Sequence, residues 1–167
     1  MLNNILIVSP NSIKNLGYIS ENYDDSKLNT LIKSVQDLFL EPALGSKLYN
    51  KILEEINKEE ELDIIYKNLI DGYIIYAISN FVKSETIIAS YDYTNSGVIQ
   101  RGDDKIYPTS LKDLQQISNH YRNIADSYVL KMQLFIKQNI DDYPQFNDNN
   151  NNAIKTDKTP FYVAINL

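Results

Sequence analysis

Few side chains in this sequence are suited to chemistry, and their spacing does not assemble an active site. Histidine is the usual proton-transfer group near neutral pH, and the chain has one, His120. It lies beside Ile117, Tyr121 and Ile124 in an apolar rhythm of threes and fours, which reads as a packing or surface position on a helix and not as a base. No G-x-S-x-G turn is present to present a serine nucleophile, and no G-x-x-x-x-G-K-[ST] loop to cradle phosphate. Asp-Asp pairs at 24–25, 103–104 and 141–142 offer carboxylates to a divalent cation, but each fits a helix cap or a turn. Asp148, Asn150 and Asn152 imitate the first ligands of a calcium loop, yet Ala153 stands where that loop needs glycine and Thr159 where it needs glutamate. With Cys 0, thiolate metal sites, disulfides and cysteine nucleophiles are excluded. The expectation is a protein that is not an enzyme, takes no cofactor or metal, and works by binding or assembly.

Charge narrows the partners. Lys and Arg number 16 against 22 Asp and Glu, a net charge of −6, and the arginines are Arg101 and Arg122. Wrapping nucleic acid needs clustered cations, so specific DNA or RNA binding is not expected. A chain of 167 residues suits one domain with one core, and its 13 tyrosines suit half-wet contact surfaces. The most apolar window, Leu69 to Val82, is too short for a bilayer and contains Asp71. Met1 to Pro10 lacks the basic flank and cleavage site of a signal peptide, so a soluble, cytosolic protein is expected.

The elements that must carry any function follow from periodicity. Residues 1–23 read as an extended or irregular arm. Asp24 or Asp25 then caps a helix with Leu28, Leu31, Ile32, Val35, Leu38 and Phe39 on its buried face. The stretch "LEPALGSKLY" stops it at Leu40: Pro42 suits a first turn, Gly45 a left-handed stop, and Ser46 the N-cap of a second helix bearing Leu48, Tyr49, Ile52, Leu53 and Ile56. "NKEEELD", residues 57–63, is a solvated corner. From Leu62 to about Ile88 the apolar residues come to surround the helix, the mark of a central one.

"VIQRGDDKIY" reads as a β-hairpin turning at Gly102 and Asp103, with Arg101 opposite Asp104, Gln100 opposite Lys105, Ile99 opposite Ile106 and Val98 opposite Tyr107. A last amphipathic helix runs from Leu111 through Leu114, Ile117, Tyr121, Ile124, Ala125, Tyr128, Met132, Phe135 and Ile136, ending before Pro144. "NDNNNN" is a polar tether, and Phe161, Val163, Ile165 and Leu167 alternate as a terminal docking strand. The organisation is thus an N-terminal extended arm (1–23), a helical domain (24–146) with a hairpin insertion at about 94–108, and a linker with a docking strand (147–167). The fold class is mainly α, a bundle of about four helices with a β-hairpin insertion and extended terminal arms.

The segment "DDSKLNTLIKSVQDLFLEPALGSKLYNKI" resembles the N-terminal signature of small head-tail connector, or adaptor, proteins of tailed bacteriophages, particularly the ring proteins of crAss-like phages. There an Asp-capped helix passes through a Q-x-x-x-x-x-P-x-L-G-[ST]-x-L-Y elbow, matched here by Gln36, Pro42, Leu44, Gly45, Ser46, Leu48 and Tyr49. The later order is also similar: a buried middle helix, the insertion "TNSGVIQRGDDKIYP", and a long helix containing "HYRNIADSY". The resemblance implies a structural virion protein in the neck at the portal vertex, assembled in the host cytoplasm. It would form a homo-oligomeric ring, twelve-fold in that family, that extends the portal channel and contacts the portal and neighbouring neck or tail rings. DNA would pass through without specific binding. The hairpin (Ile99, Arg101, Gly102, Asp103, Asp104, Lys105) and the tail strand are the candidate contact elements. The alternative is a small cytosolic helical binding or regulatory module that docks one partner.

Overall fold

The computed structural model describes residues 5–58, 60–89, 91–94, 97–100 and 110–147. The fold is mainly helical, with α1 (Pro10–Asn15), α2 (Asp25–Val35), α3 (Glu41–Leu44), α4 (Ser46–Ile56), α5 (Ile64–Leu69), α6 (Ile75–Ala89), α7 (Leu111–Gln138) and α8 (Pro144–Asn147). Two widened π turns, Gln36–Leu40 and Ile70–Ile74, join α2 to α3 and α5 to α6. Four helix starts are capped locally. The side chains of Ser9, Asp24, Asp63 and Ser110 accept the N–H groups of Ser12, Lys27, Ile65 and Asp113, satisfying donors that a helix leaves unpaired. Ser9 followed by Pro10 makes α1, so the first 23 residues are not wholly extended: a proline at the first helical position fixes the backbone there.

The core is built from the apolar rhythm of these helices. Leu28, Ile32, Leu44, Leu48, Ile52, Leu69, Ile74, Ile78, Met132 and Ile136 are fully buried within it. Helix α6 is the central element, packed against α7, α2 and α1, with Ala77, Ile78, Phe81 and Val82 all buried. Helices α6 and α7 run antiparallel, with the hydroxyls of Ser84 and Ser118 2.8 Å apart between them.

Periodicity misplaced two apolar positions. Ile117 on α7 is 48% exposed, and Leu38, expected on the buried face, is 67% exposed. The π turn holds an extra residue relative to an α turn, so it re-phases the helix and brings Gln36 and Leu40 inward instead.

Strands β1 (Tyr91–Thr94) and β2 (Gly97–Gln100) pair antiparallel, with Tyr91 opposite Gln100 and Thr94 opposite Gly97. The strand containing Ile99 therefore has a neighbour on its N-terminal side, which the sequence reading did not supply. The expected turn and its far strand, Arg101 to Tyr107, lie outside the described residues, as do Phe161, Val163, Ile165 and Leu167. Among the described residues no helix is long and apolar enough to cross a membrane.

Candidate functional site

The elbow is where the sequence motif becomes geometry. Proline lacks an N–H and crowds the carbonyl four residues back. Pro42 does this to Leu38, and the chain meets it with the widened turn at Gln36–Leu40 and then one helical turn to Leu44. The helix therefore does not stop at Leu40, as its sequence suggested; it continues, re-phased, to Leu44. Gly45 then takes φ 77° and ψ 145°, a region that side chains with a Cβ avoid. Its N–H donates to the Glu41 carbonyl at 2.8 Å, ending one helix, and its carbonyl accepts from the Tyr49 N–H at 3.0 Å, starting the next. Gly45 thus occupies the cap position expected of Ser46. Ser46 is already helical, and its hydroxyl donates to Glu41 Oε1 at 2.8 Å, a side-chain strap across the bend.

Gln36 fastens this elbow to the start of the chain. Its side chain is fully buried. Oε1 accepts the Ile7 N–H at 2.7 Å, while Nε2 donates to the Ile5 carbonyl at 3.2 Å and to the Tyr49 hydroxyl at 3.4 Å. The amide so replaces a neighbouring strand for the segment Ile5–Ile7, whose backbone groups would otherwise be buried without partners. The Tyr49 hydroxyl donates onward to Asp37 Oδ1 at 3.0 Å, and Asp37 also pairs with Lys33. Burial first, with the nearby Asp37 carboxylate adding to it, pushes the Tyr49 phenol up to about 12. Leu44 and Leu48 anchor the two arms in the core, and Gln133 Nε2 donates to the Ala43 carbonyl at 2.9 Å, tying the bend to α7. Pro42 itself is exposed. Of the seven elbow residues, Gln36 and Tyr49 are brought together directly, and all seven serve the bend.

The remaining candidates for chemistry are placed as follows. His120 is exposed, its ring edge-on to Tyr121. Asp24 caps α2, Asp25 pairs with Lys14 at 2.6 Å, and Asp141 and Asp142 are exposed in the turn after α7. Glu55 is buried between Lys51 at 2.9 Å and Lys58 at 2.6 Å, whose hydrogen bonds hold its carboxyl below the usual range. The Tyr143 hydroxyl donates to the Ile65 carbonyl at 2.9 Å, and burial pushes it up to about 12. A groove of about 420 Å³ between the arm and α2 is lined by Leu6, Asn29, Thr30, Lys33 and Ser34, a set without an acid-base pair. Among the described residues no three His, Cys, Asp or Glu side chains come together to hold a metal.

A second surface was missed by sequence reasoning. Along one edge of the α6–α7 pair, Tyr73 meets Phe135 at 5.0 Å, Tyr76 stacks on Tyr128 at 5.1 Å, and Lys83 lies over Tyr121 at 6.0 Å. Tyr121, Tyr128 and Phe135 are seven apart, so they form one stripe; that spacing was the available signal, read only as part of the core face. Tyr76, Tyr121, Ile124 and Tyr128 are half-buried yet lie outside the main core cluster. Arg122 works on the opposite flank, paired with Glu85 at 2.8 Å and set over the Phe39 ring, which stacks on Phe81.

Residues 40–156 match a family model described as "Family of unknown function (DUF6712)". The match spans more than half of the chain, and the chain belongs to that family. It begins inside the elbow, at Leu40, and so takes in Pro42, Gly45, Ser46 and Tyr49 but not Gln36. No curated protein and no solved structure matches the chain.

Proposed function

We propose that this DUF6712 member is a non-enzymatic structural subunit of a phage head-tail connector. Copies form a closed ring, twelve-fold by the resemblance, that extends the portal channel and joins the capsid to the tail. The observation that carries the reading is the elbow. The residues of the connector-like motif do not scatter over the domain; they converge on one bend, where Gln36 and Tyr49 bond to each other and Gly45 ends one helix and opens the next. Such a bend sets the angle between two wall helices and leaves their outer faces to neighbours.

Charge agrees. A subunit of net charge −6, repeated around a channel, generates a field that repels the DNA backbone and lets it slide. Closure also demands two different adhesive surfaces on each subunit, because a ring interface joins unlike faces. The tail sequence, in which Phe161, Val163, Ile165 and Leu167 alternate with other residues, is expected to supply a contact to a neighbouring copy or an adjoining ring by strand addition.

The test is the mass and image of the purified chain alone and with its portal. A closed ring with a central channel is expected; a monomer at every concentration, with no affinity for the portal, overturns the reading. Deleting Ala153 to Leu167 is expected to leave the helical signal intact and to block joining of the particle. Normal incorporation of the truncated chain would remove the tail from the mechanism.

A further inference from the structure

We infer that the α6–α7 edge is the receiving half of the subunit interface, and that it takes the acidic corner before α5 of a second copy. This rests on the ring reading above and specifies its contact. The receiving edge is a shallow aromatic seam. Ile117 is 48% exposed, and Ile124, Tyr121 and Tyr128 follow it along α7, half-buried and outside the core cluster. Its cations are Lys83, over Tyr121, and Lys131, 5.3 Å from the Tyr128 ring centre. Among the described residues neither lysine has a carboxylate partner. A cation held over tyrosine beside exposed isoleucine is suited to an acidic surface with an apolar point.

The chain carries such a surface. Glu54, Glu60, Glu61 and Asp63 are exposed around the turn between α4 and α5, while the nearby Lys51 and Lys58 are taken up by Glu55. At the centre of this corner Ile64, the first residue of α5, is 62% exposed. Asp63 fixes the turn by capping α5, accepting the Ile65 N–H at 2.9 Å. The corner therefore offers an exposed apolar tip with carboxylates beside it.

These two surfaces do not meet within one chain. The helix is continuous from Ile64 through the π turn to Ala89, so at 1.5 Å per residue Lys83 stands about 28 Å from Ile64 along the axis, and Tyr76, on which Tyr128 stacks beside Lys131, about 18 Å. Contact of unlike, charge-complementary faces separated along one rigid helix requires a second copy placed head to tail, which is the heterologous geometry that closes into a ring.

Charge reversal in the full-length chain tests this, read by sedimentation or native mass across a concentration series, with circular dichroism to verify folding. K83E/K131E and E60K/E61K each place like charges opposite each other, and each is expected to raise the concentration needed for assembly by about tenfold or more. The chain carrying all four reversals is expected to recover assembly. If the wild-type chain assembles and the reversals leave that assembly unchanged, this interface is wrong while the ring reading stands. A wild-type chain that stays monomeric overturns both. If footprinting shows Tyr121 and Tyr128 protected only when Ala153 to Leu167 is present, the seam holds the tail and the inference is overturned.

Discussion

Tyr49 and Tyr128 are the same side chain put to different uses. Tyr49 is 3% exposed, and its hydroxyl bridges Gln36 and Asp37 at the elbow. Tyr128 is half-buried, stacks on Tyr76 and stands outside the core cluster. At the elbow the polar groups of Gln36 and Tyr49 are bonded within the chain, so an external partner would have to break existing bonds to use them. At the α6–α7 edge, among the described residues, Tyr121 and Tyr128 are half-buried outside the core cluster, and Lys83 and Lys131 lie by tyrosine rings with no carboxylate partner. The difference separates a region that fixes the fold from a region that has surface left to offer.

If that separation is right, Gln36 is the most damaging single loss. Gln36→Leu keeps the volume but strips partners from the buried Ile7 N–H and the Ile5 carbonyl, and about 2–4 kcal/mol of stability is expected to go. Urea unfolding measures it. A variant as stable as the wild type would mean that the arm's backbone finds water, and that the elbow is not fastened as described. Gly45→Val comes next. At φ 77° the added Cβ is strained, at about 1–3 kcal/mol, and the strain falls on the angle between α3 and α4. Expected are a lowered melting temperature and, in the ring, poor closure; an unchanged melting temperature contradicts it.

Much of the elbow was legible. Pro42 and Gly45 have backbone requirements that do not depend on distant residues, so their local roles follow from side-chain chemistry alone. The π turn was not legible, because helical periodicity assumes one phase, and a single extra residue moved Leu38 to solvent and Gln36 to the core. Nor was the partner of Gln36: an amide reaching back some thirty positions to Ile5 and Ile7 leaves no spacing to read. The aromatic seam fell between these cases. Its heptad spacing is in the sequence, but whether a stripe faces the core or a partner depends on which neighbours cover it. Ser46 shows the local limit: serine is a good cap, and Gly45 took the position because the bend needed its φ.

The smallest effect on the fold and the sharpest test of the comparison come from Tyr128→Ala. The lost stacking on Tyr76 amounts to about 0.5–1.5 kcal/mol, and because Tyr128 lies outside the core cluster little further loss is expected. Its cost in association is expected to be larger, about 2 kcal/mol or a thirtyfold weakening, since aromatic residues at the centre of an interface carry much of its energy. Gln36→Leu is expected to show the reverse pattern, unstable in urea but associating normally at concentrations where it is folded. Measuring unfolding and assembly on both variants gives four numbers and one crossing. If Tyr128→Ala loses stability as heavily as Gln36→Leu and keeps its association, the seam belongs to the core, and the two regions do not differ in the way their tyrosines suggest.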